Sequence, residues 1–436
     1  MQEPPPHPSH VTYPAPVNDQ WDYLLSTIWS QMVHLVITLD GHLDAARLCQ
    51  AMYLVMEAEP LLACRFVESS TPFWEKMPVL PRDSIFSLVK CEDSEAALQQ
   101  VMTARLDPAE GPQARLTLLR GPKDRLVLSV NHTVSDACGV KHICLLLGQA
   151  YRSLEHDPHF SLPLPLLQDR SFHPIISAFS IQDSAAAREA CGEQSTVWGI
   201  PSRPGPCCNP EYHFRVIKSP HFLRMKEYSR SHQLTINDLL LAACFAALCP
   251  EIPHHEGQHL PVLTSIDLRR SIPRYAAPHV ANLSVAFEIW LPVKSPFSFQ
   301  WLAMDVHRVM AEKKGLFAGI GAAIRLQEVF SMGFFAVRED LLDLQYKSQN
   351  EHYPKNPFFS NTGIIPPEYV EFGDVSTMHA FMGPPVDYPP GFGITASTYQ
   401  DRLTLASGFC GDSVPGTMVE RVLSRMENLL ITISRE

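Results

Sequence analysis

Two hydrophobic periods alternate along the chain. Val33, Leu35, Ile37 and Leu39 alternate with His34, Val36 and Thr38, the two-residue period of a half-buried strand that ends at Asp40-Gly41. A helix is predicted from Leu43 to Ala58, stopped at Glu59-Pro60 because proline pushes the residue before it out of the α region; LLACRF follows as a second strand. Leu126, Leu128 and Val130 alternate again and run into Asn131-His132. Beyond the loop TVSDACG, Val140, Ile143, Cys144, Leu147, Ala150 and Tyr151 recur at helical spacing. The order is therefore strand, loop bearing His132, amphipathic helix.

Prolines crowd residues from about 157 to 212, which read as a connection, and the pattern then restarts. Thr235, with Asp238 three residues on, is close to a capping box and opens a helix to about Leu248. PVLTSIDL reads as a strand, and the alternation Leu283-Val285-Phe287-Ile289-Leu291 is the clearest strand signal in the chain. A helix from about Phe299 to Lys313 comes next. ITASTY and RLTLASGF straddle Gln400-Asp401 as a hairpin, and Met418 to Leu430 marks a closing helix. The expected organisation is a loose arm (1–16), a first α/β subdomain (17–165), a linker (166–212) and a second subdomain (213–436).

Composition narrows the partners. The 436 residues carry a formal net charge of -11, with no basic run to meet a phosphate backbone, so nucleic acid is not expected. Eleven scattered cysteines with no C-x-x-C pair imply reduced thiols and a cytoplasmic protein. MQEPPPHPSH lacks the basic and apolar regions of a secretory signal. The most apolar helical run, LLLAACFAAL, is far shorter than the roughly 20 residues that cross a bilayer, so no membrane span is expected.

NHTVSDACG is the stretch that carries chemistry. A histidine at the end of a strand has its backbone fixed by the sheet while its ring projects, and its near-neutral pKa suits it to take and return a proton. Asp136 lies four residues on, across a tight turn, where it can accept backbone N–H bonds or meet an arginine. The spacing alone favours a hydrogen-bonded surface histidine followed by an N-capping aspartate, and the strand–loop–helix setting brings the functional reading level with it.

Taken with LDGHLDAARLCQAMYLVMEAEPLLACRF, TINDLLLAACFAAL, DLRRS and TYQDRLTLASGF in that order, VNHTVSDACGV resembles the condensation-domain superfamily over about residues 20 to 432. That superfamily includes peptide-synthetase condensation domains, polyketide-associated acyltransferases, wax-ester synthases and alcohol acetyltransferases. The resemblance implies an α/β (α+β) fold of two chloramphenicol-acetyltransferase-like halves, a V-shaped pseudo-dimer with a central tunnel. It also implies an acyltransferase with His132 as general base and Asp136 turned away to pair with Arg269, Arg270 being the alternative. Asn131, Ser135, Gly139, Asn361 and Gly363 are candidate tunnel or substrate contacts.

Coenzyme A or a carrier-protein phosphopantetheine would bring the acyl thioester as co-substrate, with a small alcohol or amine as acceptor and no permanently bound cofactor or metal. Two fused halves make a monomer sufficient. Asn131 stands where peptide-synthetase condensation domains usually have a first histidine, and Ala137 where a glycine commonly follows the aspartate. Both departures favour a stand-alone acyltransferase over peptide-bond formation. A non-catalytic module that binds a carrier protein or ligand, and a thioester hydrolase, are the alternatives.

Other signals lead elsewhere. GLFAGIGAAIR lacks the Gly-Lys-Ser/Thr ending of a phosphate loop and reads as a loop or helix start. Gly408 to Ser413 lacks the spacing of a nucleophile elbow and reads as a turn closing the sheet. His254, His255 and His259 lie in a predicted loop that fixes no common focus, and read as solvated side chains. Phe358, Phe359, Phe381 and Phe392 read as core, with tunnel lining as the alternative.

Overall fold

The predicted strands and helices form along most of the chain, and the computed structural model describes residues 11–163, 169–191, 198–271, 280–294, 297–350 and 354–433. Residues 1–10 of the expected arm, and 166–168 and 192–197 of the expected linker, lie outside the described residues. The first half contributes β1 (Thr12–Pro14), β2 (Met32–Leu39), β3 (Cys64–Val67), β4 (Phe73–Lys76), β5 (Phe86–Lys90), β6 (Ala114–Arg120) and β7 (Asp124–Asn131). The second contributes β8 (Pro210–Ile217), β9 (His259–Asp267), β10 (Ser284–Pro292), β11 (Phe358–Ile365), β12 (Thr377–Gly383), β13 (Gly393–Tyr399) and β14 (Arg402–Cys410). They assemble into sheets ordered β1-β4-β3, β12-β2-β7-β6-β5 and β10-β9-β11-β13-β14-β8. The architecture is mixed α/β, as expected.

In the first half, Val33, Leu35, Ile37 and Leu39 of β2 face Leu48, Met52 and Val55 of helix Ala45–Ala58 and Ile143, Cys144 and Leu147 of helix Ala137–Ser153 in one core. Asp44 caps the first of these helices, its carboxylate accepting the N–H groups of Ala46 and Arg47. In the second half the helix Ile236–Leu248 is buried almost all round among the sheet, helix Phe299–Gly315 and helix Gly416–Ile433. Its start is a full capping box, with Thr235 N donating to Asp238 at 2.8 Å and Asp238 N to Thr235 at 3.2 Å.

Three local expectations change. Strand β2 is buried on both faces, not half-buried, because helix Ser94–Thr103 and Tyr212 and Phe381 from the second half cover Val36 and Val127. His34 on that face is neutral, since burial pushes its pKa down to about 3, and its Nδ1 pairs with Ser129 Oγ at 2.9 Å. The run LLACRF is a 3₁₀ turn, Pro60–Ala63, before the strand starts at Cys64: its proline sets a turn ahead of the strand. Thr12–Pro14, inside the expected arm, pairs with β4.

The halves also exchange an element. Strand β12, late in the chain, completes the first sheet by pairing antiparallel with β2, His379 opposite Thr38 and Phe381 opposite Val36. Phe381 lies in the core behind that sheet, and Phe359 and Phe392 in the core of the second half. Among the described residues no single helix is long and apolar enough to cross a membrane.

In GLFAGIGAAIR, Gly315 ends helix Phe299–Gly315, while Gly319 and Gly321 serve helix packing. They open helix Ala318–Phe330, which lies against helix Ile181–Cys191, and a Cβ on Gly321 would stand 1.9 Å from the Ala187 carbonyl oxygen. Gly321→Ala is therefore expected to destabilise the protein by about 1–3 kcal/mol, seen as a lower urea midpoint. Gly315→Ala, with nothing within 4 Å of the added carbon, is expected to leave the midpoint unchanged or slightly raised.

Candidate active site

Strand β7 ends at Asn131, and His132 is the first residue of the turn that follows. Its backbone is held from both sides: its N–H donates to Gln31 O at 2.6 Å, and its carbonyl accepts Asn282 Nδ2 at 2.6 Å. The turn closes on Asp136, which caps helix Ala137–Ser153 by accepting the Cys138 and Gly139 N–H groups at 3.1 Å. Sequence spacing left this aspartate as either a cap or an arginine partner; it is both.

Its second oxygen accepts Arg269 Nη1 at 2.7 Å and the Leu283 N–H at 2.9 Å. Arg269 lies in the turn Leu268–Ser271 and also donates to Asp267 at 3.0 Å and to the Ala281 carbonyl at 2.9 Å. Asp136 returns an N–H to that same carbonyl at 3.2 Å. Burial pushes the Asp136 carboxyl up, but the Arg269 charge and hydrogen bond, with the backbone donors, hold it below the usual carboxylate value. Arg269, not Arg270, is the partner.

The imidazole tautomer follows from its surroundings. Asn282 Nδ2 donates to the carbonyls of His132 and Thr133, so its Oδ1, 3.2 Å from His132 Nδ1, can only accept. Nδ1 must therefore carry the hydrogen, which leaves the lone pair on Nε2. Burial holds the His132 imidazolium below the ordinary histidine range, against smaller opposing contributions from its hydrogen bonds and Asp136. The side chain is 23% exposed.

The other candidates fall into two groups. Asn131 and Ser135 are fully buried and internally paired, Asn131 with the Leu106 carbonyl and the Thr133 N–H, Ser135 with the Asp136 carbonyl. Gly139 belongs to the capped helix turn. Asn361 and Gly363 sit together at an irregularity in the pairing of β11 with β13: Asn361 accepts the Gly363 N–H at 3.0 Å and donates to Asn237 at 3.2 Å. Gly363 has φ +78°, which a side chain would resist. Lys141, on the helix after the motif, ties the motif to β11 through the Thr362 carbonyl at 2.7 Å.

Asn282, Asp22 and Gln31 escaped the sequence reading. Asn282 lies 150 positions from His132 with no local spacing to mark it. Gln31, next to β2, has a left-handed backbone (φ +58°), and its buried amide has no partner among the described residues. A cavity of about 570 Å³ lined by Phe245, Phe297 and Trp301 lies elsewhere in the second half and does not include His132.

No sequence family and no curated protein matches this chain. Solved structures do. The first condensation domain of the calcium-dependent antibiotic synthetase, in complex with a substrate analogue, gives a TM-score of 0.71 at 15% identity, over 98% of this chain and 97% of that one. Trichothecene 15-O-acetyltransferase from Fusarium sporotrichioides gives 0.70 at 12% identity, over 97% and 96%. Polyketide synthase associated protein 5 from Mycobacterium tuberculosis gives 0.65 at 14% identity, over 97% and 99%.

The lowered Asp136 value predicts a pH effect on stability. A carboxyl depressed in the folded state adds stability that is complete above its unfolded value of about 3.9 and is lost as pH falls through the folded value. The difference in unfolding free energy between wild type and Asp136→Asn is therefore expected to be largest near neutrality and to shrink as the pH falls below about 3.9. Urea titrations at the two pH values measure it, and a gap independent of pH would contradict it.

Proposed function

We propose that this chain, which has the fold of the condensation-domain, chloramphenicol-acetyltransferase-like superfamily, moves an acyl group from a thioester to a hydroxyl or amine. The donor is coenzyme A or the phosphopantetheine of a carrier protein, and the acceptor is a small alcohol or amine. One observation carries the reading. His132 stands at the end of a buried strand with its Nδ1 facing the Asn282 oxygen, which leaves a basic Nε2 on a partly exposed side chain. The near-complete overlap with condensation and acetyltransferase folds supports the same chemistry.

In this reaction Nε2 takes the proton from the acceptor as its oxygen or nitrogen attacks the thioester carbonyl. The tetrahedral adduct collapses, the carbon–sulfur bond breaks, and the imidazolium protonates the departing thiolate. Asp136 and Arg269 act at a distance from the reacting atoms: they fix the turn that aims the ring, and small misplacements of a base cost much rate. A histidine held below its ordinary range remains a free base at neutral pH, so the acid limb of the rate profile is expected below about pH 6.5.

Thiol release from a panel of acyl-coenzyme A donors and an acylated carrier protein, with mixed alcohols and amines, tests the proposal. Release that requires an acceptor, and that falls about 10²–10⁴-fold in His132→Ala, is the expected result. Free acid formed without acceptor would mark a hydrolase. Equal release by His132→Ala would remove His132 from the mechanism.

A further inference from the structure

Three aspartates gather behind the His132 ring. Asp19 and Asp22 lie three residues apart on helix Val17–Leu24, and Asp136 lies in the motif turn. Two of them have an arginine. Asp19 meets Arg170 Nη2 with both oxygens at 3.1 Å and accepts Trp74 Nε1 at 2.9 Å. Asp136 holds Arg269. Both arginines are further tied to backbone carbonyls, Arg170 to those of Val134 and Val280, Arg269 to that of Ala281.

Asp22 has no such cation. Its side chain is 13% exposed, and among the described residues its contact is His132, with Oδ1 3.9 Å from Nδ1. A buried carboxylate without a countercharge is costly, and one facing two like charges more so. Burial, then Asp19 and Asp136, hold the Asp22 carboxyl well above the usual range. Nothing in the packing repays that cost in the resting protein. A positive charge at His132 would.

We propose that Asp22 is a positioning residue for His132, the acidic partner of the imidazolium that forms while the proton is in transit. It lies on the Nδ1 side of the ring with Asn282, away from the nitrogen that receives the proton. It neither takes nor gives the transferred proton, which stays on Nε2 until the thiolate removes it. Its contribution is charge: the imidazolium and the Asp22 carboxylate form together, each favouring the other's charged state, so the pair makes the protonated ring easier to reach than a neutral neighbour would. Burial, Asp19 on its own helix and Asp136 in the motif turn set its charge; His132 faces it, while Arg170 and Arg269 are held by the two neighbouring carboxylates.

The role rests on the acyltransferase reading, but its test does not need a substrate. His132 is followed by NMR in the full chain labelled with ¹³C,¹⁵N-histidine, its signal assigned by its loss in His132→Asn. In Asp22→Asn the imidazole is expected to protonate about one pKa unit lower or more, with the Nδ1–H tautomer and the melting temperature retained. Asp22→Glu is expected to restore the wild-type direction. Asp22→Ser, smaller and also uncharged, gives the same comparison if asparagine is not accommodated.

With a turning-over substrate, Asp22→Asn is expected to lower kcat about tenfold with KM little changed, one pKa unit corresponding to a factor of ten. Identical His132 titrations in wild type and both neutral variants would overturn the proposal without touching the transferase reading. A shifted titration in a protein that transfers no acyl group would leave the pair standing and refute only the transfer.

Discussion

The carboxylate of Asp136 sits where the two halves of the chain meet, and its partners come from both. One oxygen caps the helix that follows the motif; the other takes a guanidinium and an N–H from segments more than a hundred residues later. A buried ion pair is not stabilising merely because it exists, since desolvation can cancel the attraction. Here each oxygen of the Asp136 carboxylate accepts two donors, and the guanidinium also donates to Asp267 and the Ala281 carbonyl, which favours such a pair. The turn Leu268–Ser271 and the start of β10 are thereby fastened to the motif, and Asn282, between Ala281 and Leu283, is carried to the back of His132.

That placement converts a structural clasp into chemistry. Asn282 spends both amide hydrogens on the carbonyls of His132 and Thr133, so its oxygen has only the ring to face. The tautomer of a base in the first half is thus set by a residue of the second. Asn18 extends the same chain of contacts by donating to the Asn282 carbonyl at 2.9 Å, and so links the helix that bears Asp19 and Asp22. Strand β12 crosses in the same spirit, closing the first sheet with residues from the second half. The site belongs to the junction of the halves.

What the sequence could reveal follows from how far apart the cooperating residues lie. Strand β7, the turn and the helix after it were legible because alternation, a short polar loop and helical spacing are local signals. The Asp136 cap was legible for the same reason, while Arg269 as its partner was expected only through family resemblance and is where the structure places it. Asn282 and Asp22 carry no periodic or motif signal, and only the tertiary fold brings them to the ring. The burial of His34 and Val36 was missed for a similar cause: the residues that cover that face come from helix Ser94–Thr103, some sixty positions on, and from Tyr212 and Phe381 in the other half. The turn at Leu61 to Ala63 was misread because an apolar run does not distinguish a strand from a buried turn.

The account stands or falls on whether Asp136 and Arg269 work as one unit that also holds the base. A double-mutant cycle with Asp136→Asn, Arg269→Gln and the pair, read by urea unfolding and by thiol release from a thioester, measures this directly. Each single change is expected to cost about 3–5 kcal/mol of stability, because it strands a buried charge. The double change is expected to cost no more than either single one, a coupling of at least about 3 kcal/mol, with turnover lost to the same degree in all three. Additive losses would show that the two residues act separately, and turnover at the wild-type level in the double variant would show that the clasp does not position His132.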